Sequence, residues 1–288
     1  MTNSSKLWVR AFLRGSAFAW SRLPGGVLAS WPLVAYGRLI QRVARANSSR
    51  NSNPRTYFLR NRPELDLISS LLDQRDDSTP VKIAVLACSM GAEPYSILWA
   101  IRKKRPDLKV DMTAADILPE VIDIARKGLW DPSTDHLERL SSAEVDELFD
   151  REGSMLRVKE WLRCGVDFEV GDATGPSFVA RIGPQDIVVA NRFLTHMHPP
   201  EAEAALRRLS ALVEVGGYLV CTGVDVDVRT NVIKSLGWTP VTDRIEELHE
   251  GDQTIRANWP WDYWTLEPLD KRLPDWKLRY ATIFQRPG

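Results

Sequence analysis

Residues 81–96, VKIAVLACSMGAEPYS, run from an apolar segment through small residues directly into a helix start. Val81, Ile83, Val85 and Leu86 supply the β-branched and aliphatic bulk of a buried strand, after which Cys88, Ser89 and Gly91 let the backbone turn sharply. Pro94 suits the first helical turn, where a missing N–H costs nothing. Small side chains in such a turn let a ligand approach the main chain, and the helix that follows offers it free N–H groups. Strand, tight turn and helix also recur in parallel-sheet proteins that bind nothing at that place. The neighbouring segments therefore carry the decision.

Residues 110–117, VDMTAADI, read as a second strand with Asp116 at its carboxyl end, 25 positions after Gly91. In open α/β sheets that spacing sets a carboxylate where it accepts hydrogen bonds from ribose hydroxyls. Asp116 before Ile-Leu-Pro-Glu would equally start a helix. Residues 168–174, FEVGDAT, give a third strand ending at Asp172, and residues 186–190, DIVVA, a fourth. Their ends fall on one edge of the sheet.

Residues 87–96, ACSMGAEPYS, resemble the S-adenosylmethionine loop of chemotaxis-type (CheR-like) glutamate O-methyltransferases: a small residue, Cys-Ser, a variable residue, Gly, an acidic residue and Glu-Pro-Tyr-Ser, with Ala92 here at the acidic place. TYFLR, 56–60, is similar to that family's Thr-x-Phe-Phe-Arg, and AADI, 114–117, to its acidic second motif. The stretch from Gly128 and Trp130 through Leu148-Phe149 to Val166-Asp167-Phe168 follows its spacing. DIVVANRFLTHM, from Asp186, resembles its Cys-Arg-Asn strand, and VEVGGYLVCTG, from Val213, the Pro-Gly-Gly strand of methyltransferases. The likeness covers about residues 55–225. It implies an α/β fold with a seven-stranded, Rossmann-like class I methyltransferase sheet, S-adenosyl-L-methionine as cofactor and methyl transfer as the activity.

Position by position, the resemblance implies a cofactor site. Ala87, Cys88, Ser89 and Gly91 would pass close to the cofactor, and Glu93 would hold the methionine amino group. Asp116 with Ile117 would take the ribose, Asp172 with Ala173 the adenine, and Asn191 the edge of the same cleft. On the acceptor side it implies Arg60, Asn191, Arg192 and His196. There the chain departs from the pattern: Asn191-Arg192 inverts the family's Arg-Asn, and His196 stands where a Tyr is expected.

The acceptor side decides the chemistry. Transfer from a sulfonium is an in-line displacement, so holding nucleophile and methyl carbon aligned supplies most of the catalysis. A carboxylate is already a nucleophile near pH 7 and needs only a cation such as Arg60 or Arg192 to orient it. A hydroxyl or ammonium acceptor must lose a proton, and His196 could serve as its base or simply open the helix expected over 201–212. The acceptor, a protein carboxylate or a small molecule, stays open, as does a non-catalytic cofactor-binding module. A dehydrogenase is disfavoured because Ala87 to Gly91 lacks the G-x-G-x-x-G spacing. No metal is expected, since His196 and His198 have no third ligand near in sequence.

A chain of 288 residues can hold one large α/β domain with additions. Its three cysteines are too few for a disulfide framework and suit a reducing, cytoplasmic interior. No apolar run reaches the ~18 residues that suggest a membrane span. The zero net charge hides a division: residues 1–63 contain eleven Lys or Arg and no Asp or Glu, leaving 27 basic against 38 acidic residues and a net −11 in the rest.

Residues 1–54 thus read as a basic helical region and linker, and 55–288 as the methyltransferase domain. Within the first region, Trp8, Phe12, Phe18, Trp20, Trp31, Leu39 and Val43 interleave with Arg10, Arg14, Arg22, Arg38, Arg42 and Arg45, in short amphipathic helices broken at Pro24-Gly25-Gly26. This suits a cap packed on the domain, peripheral contact of residues 1–50 with an anionic membrane surface, or a cleaved targeting peptide. Nucleic acid is not an expected partner, because the acidic remainder would repel phosphate. After the fifth strand come a helix over 228–236, a sixth strand over 240–245 and a seventh over 280–285. The Trp-rich insertion, 246–279, carries Trp259, Trp261, Tyr263, Trp264 and Trp276 and would either wall the acceptor pocket or pack onto the sheet.

Overall fold

The computed structural model describes residues 3–23, 30–48, 50, 55–76, 78–252 and 255–288. The expected break at Pro24-Gly25-Gly26 and most of the expected linker lie outside these residues.

Strand β1 (Val81–Leu86) is the centre of the fold. Every residue but Lys82 is buried, and it pairs in parallel with β2 (Val110–Asp116) on one side and β7 (Gln185–Val189) on the other. Burial on both faces is what its unbroken apolar content anticipates. Ile83 and Val85 join one core cluster and Ala84 and Leu86 the other, the two-residue alternation of a strand covered by helices on both sides. With β6 (Val166–Val170), β8 (Val213–Val220), β9 (Thr239–Pro240) and β10 (Ile283–Gln285), they form a seven-stranded sheet in the order β6-β2-β1-β7-β8-β10-β9. Only β10 runs antiparallel to its neighbours. The winding direction reverses between β1 and β7, where open α/β sheets leave a crevice at the strands' carboxyl ends.

The fold expectation is met in its central strands and shifted at the edges. The third strand ends at Val170, not Asp172, because Gly171 turns back to the Asp116 carbonyl. The expected sixth strand shrinks to Thr239–Pro240, and a helix over Ile245–Gly251 takes up its end. The seventh begins at Ile283, since Trp276–Tyr280 is helical. Proline cannot donate to a ladder, so Pro240 fits only a sheet edge. A second, three-stranded sheet comprises β3 (Leu129–Trp130), β4 (Phe149–Glu152) and β5 (Met155–Val158) in the order β3-β5-β4.

Helices α1 (Asn3–Trp20) and α2 (Trp31–Asn47) belong to the basic N-terminal region. The cap reading describes α2: Arg38 Nε bonds Glu267 at 3.2 Å, Gln41 Nε2 bonds Thr265 Oγ1 at 3.1 Å, and Arg45 pairs with Asp225 at 3.2 Å. The Trp-rich segment answers from the other side. Trp259 Nε1 donates to Gln41 Oε1 at 3.0 Å, and Trp20 meets the edges of Trp259 and Trp261. A Cβ at Gly37 would collide with the Trp259 ring, so that glycine admits the indole. Trp259 and Trp261 thus pack on α1 and α2, whereas Tyr263 bonds His196 at 2.8 Å and Trp276 packs against the core cluster that holds Val188, Leu219 and Phe284 of the sheet.

Candidate active site

The turn after β1 is strained where the ligand-facing chain passes. Ala87 and Ser89 take φ of 56° and 51°, a left-handed region that costs a side-chain-bearing residue energy, and Leu59 and Arg192 do the same at 48° and 61°. All four lie in or beside one cleft of about 420 Å³ at the carboxyl ends of β1, β2 and β7. Asp116 holds the turn: its Oδ2 accepts from Ser89 N at 2.9 Å and its Oδ1 from Leu118 N at 3.1 Å. It is not the N-cap of the next helix, α5 (Pro119–Lys127), whose cap position is Leu118.

Helix α4 (Ala92–Lys104) follows α3 (Arg62–Ser70) in the chain and brings Glu93 to the cleft in its first turn. The rest of its signature serves packing. Tyr95 donates to the Ala125 carbonyl at 2.7 Å, and Ser96 Oγ accepts from Leu59 N at 3.0 Å. Ser96 thereby ties the TYFLR segment to the helix. Phe58 anchors that segment against Trp130 and Phe149 of the small sheet, at ring separations of 5.0 and 4.9 Å.

The structure brings most of the expected site residues together. Ala87, Cys88, Ser89, Glu93, Asp116, Ile117, Asp172, Ala173, Asn191, Arg192, His196 and Arg60 all line the cleft. Gly91 does not. With φ of 91° it starts α4 facing away, where a Cβ would stand 3.0 Å from Ala125 and 3.2 Å from the Phe168 ring. Its smallness admits helix against strand. Ile117 is 64% exposed, an apolar face open beside Asp116. Asp172 accepts from Thr174 N and Oγ1 at 2.8 and 2.7 Å, shaping the rim after β6.

The acceptor side differs from the expectation. Asn191 is buried and saturated: its Nδ2 donates to Glu93 Oε1 at 2.7 Å and Glu64 Oε1 at 3.0 Å, and its Oδ1 accepts from Thr222 N and Oγ1. As it stands, Asn191 has no amide hydrogen left for a substrate. Arg192 pairs with buried Asp252 at 2.6 Å. Burial opposes its charge, but Asp252, Glu64 and Glu93 outweigh that and raise its pKa. Arg60 is the contrasting cation. Its guanidinium lies 4.7 Å over the Tyr57 ring, and its Nε is buried without a partner among the described residues. Burial, and then Arg192, lower its pKa to about 9.

His196 sits in a short 3₁₀ turn, Leu194–His196, and its Nδ1 bonds the Tyr263 hydroxyl at 2.8 Å. Burial and Arg50 lower its pKa, so the ring is neutral at pH 7. Arg50, 6% exposed, holds this turn through the carbonyls of Thr195 and Met197 and reaches Asp225 at 3.4 Å. His198 caps the next helix, α9 (Pro199–Ala211), separately from His196; α7 (Glu160–Arg163) and α8 (Pro176–Ile182) precede it, and α6 (Ser142–Leu148) leads into β4. Tyr263 was anticipated as one ring of the Trp-rich insertion, but sequence reading missed Glu64, Arg50 and Asp252. No local pattern marks them; the one hint was the acid-free start of the chain, which leaves Glu64 as its first carboxylate.

The family described as CheR methyltransferase, SAM binding domain, matches residues 54–233. The chain belongs to this family. Chemotaxis protein methyltransferase 1 of Vibrio cholerae is 29% identical over 177 residues, 59% of this chain and 63% of its own length. Chemotaxis protein methyltransferase of Vibrio parahaemolyticus is 27% identical over 195 residues, 65% of this chain and 70% of that one. The probable biofilm formation methyltransferase WspC of Pseudomonas aeruginosa is 25% identical over 169 residues, 57% of this chain and 40% of its own. The chain thus spans less than two thirds of the first of these relatives. S-adenosylmethionine is the cofactor of a CheR domain of this kind, and the cleft suits it, with carboxylates at both ends and an uncovered apolar face at Ile117. Arg50, Asp252 and Tyr263 all lie outside the CheR match, so segments beyond the family domain hold Arg192 and His196 in the cleft wall.

Proposed function

We propose that this chain transfers the methyl group of S-adenosylmethionine to a carboxylate oxygen, leaving a methyl ester and S-adenosylhomocysteine. The observation that carries the reading is Arg60, a guanidinium lining the cleft whose buried Nε has no partner among the described residues. A planar cation there orients a carboxylate, which attacks without first losing a proton. Asp116 and Ile117 take the ribose, Asp172 and Ala173 the adenine, and Glu93 the methionine ammonium. Asn191 acts through Glu93, and Arg192 is held in reserve by Asp252. Residues 55–288 form the methyltransferase domain. The chemotaxis relatives favour a protein acceptor.

The test is a labelled-methyl screen of lysate fractions. Product methyl that alkali releases marks an ester; alkali-stable label overturns the carboxylate. Arg60→Ala should lower turnover while S-adenosylhomocysteine still binds. A second reading rests on the neutral His196 held by Tyr263: it serves as base for a hydroxyl acceptor, and alkali-stable label would support it.

A further inference from the structure

The two N-terminal helices carry apolar side chains on both sides. On their inner sides α1 buries Ser16, with Trp20 against the Trp-rich segment, and α2 buries Val34, Gly37, Ile40 and Ala44. That packing leaves a second set uncovered. Trp8, Phe12 and Phe18 of α1 are 74, 39 and 61% exposed, and Trp31 and Leu39 of α2 are 59 and 49% exposed. Trp31, Ala35 and Leu39 follow one another at four-residue intervals, a continuous stripe on the outer side of α2. Bulky aromatics left in water over two successive helices call for an occupant.

Charge names its kind. Arg38, Arg45 and Arg50 are directed inward, onto Glu267, Asp270 and Asp225. Arg14, Arg22 and Arg42 remain exposed among the uncovered rings, with Arg22 lying 3.5 Å over Phe18. No carboxylate precedes Glu64. Aromatic rings interleaved with Arg suit the headgroup layer of an anionic bilayer, where rings enter the interface and guanidinium groups meet phosphate. No described helix is long and apolar enough to cross a membrane, so such a pair lies on the surface.

We propose that the outer faces of α1 and α2 dock this protein on an anionic lipid surface, with Trp8, Phe12, Phe18 and Trp31 at the interface and Arg14, Arg22 and Arg42 against the phosphates. The inner basic residues pair with carboxylates of the body, whose remaining net negative charge directs the rest of the molecule away from the lipid.

The test is co-sedimentation of the full chain with vesicles of phosphatidylcholine alone or mixed with phosphatidylglycerol. Binding should need the anionic lipid, weaken in high salt, and fall about tenfold or more in the triple variant Trp8→Ser, Phe12→Ser, Phe18→Ser, as expected when three interfacial side chains are removed. Unchanged S-adenosylhomocysteine binding in the variant shows that its fold and cofactor site are intact. Equal sedimentation of variant and native chain overturns the proposal, as does binding to neither vesicle. An oligomer of the native chain that the variant abolishes, without vesicle binding, assigns the face to a second copy.

Discussion

Glu64 and Glu93 share one amide nitrogen, since Asn191 Nδ2 donates to Oε1 of each, at 3.0 and 2.7 Å. Two carboxylates on one donor bring like charges together. The strain falls on Glu64, which is 4% exposed and whose Oε2 is buried without a partner among the described residues. Burial raises its pKa from 4.5 to about 7, with Arg192 and Asn191 opposing and Glu93 adding to the rise.

A carboxyl whose pKa is higher folded than unfolded stabilises the fold below the unfolded value, and that contribution is lost as pH climbs through the folded one. The ligand-free protein should therefore lose up to about 3 kcal/mol from this group between pH ~4.5 and ~7, at 1.36 kcal/mol per unit. Glu64→Gln, neutral throughout, should flatten that slope. Urea midpoints in a pH series measure it, and an equal slope in both proteins would refute the assignment.

Asp116 accepts backbone hydrogen bonds on both oxygens, from Ser89 and Leu118. Asp116→Asn must turn an NH₂ toward one of those N–H groups, so it should behave almost as badly as Asp116→Ala. Both should weaken S-adenosylhomocysteine binding by about 1 to 3 kcal/mol, the cost of unmade buried hydrogen bonds. Calorimetry decides, and an Asn variant with native affinity would show that the carboxylate is dispensable.

Asn191→Asp puts a third carboxylate between Glu64 and Glu93, whereas Asn191→Ala leaves those two oxygens and Thr222 N unsatisfied. We expect each to cost about 1 to 3 kcal/mol of stability, the Asp variant losing more as pH rises. Thermal unfolding at two pH values checks this. A pH-independent difference between the variants would contradict it.

Arg50 joins the start of the chain to the His196 turn and to Asp225, which keeps Arg45 as its other cation. Arg50→Ala should destabilise by about 2 to 3 kcal/mol, the lower side of breaking a buried ion pair because Asp225 is not orphaned. Amide exchange at residues 195–197 should quicken. If exchange there is unchanged, the turn stands without Arg50.

The legible parts of this fold are those whose causes are local. Apolar residues 81–86, the small residues after them and the helix start at 92–94 fall within one short window, and Asp116 follows at a spacing set by one helix and one strand. Edge strands are different. Thr239–Pro240 is a strand only because Gln285 and Phe284 lie beside it, and residues 241–245 had apolar content enough to suggest a longer one. Gly91 was placed near the ligand from its sequence context, yet its close neighbours come from α5 and β6, which only folding supplies.

By itself the sequence determined the central parallel strands, the carboxylates at their ends and the kinship with CheR domains, because periodicity, turn chemistry and motif spacing act between residues near one another in the chain. Tertiary structure alone decided what surrounds the proposed acceptor site. Glu64, Arg50, Asp252 and Tyr263 converge on Asn191, Arg192 and His196 from positions up to 213 residues apart, and burial and charge depend on distance in space, which chain order does not encode.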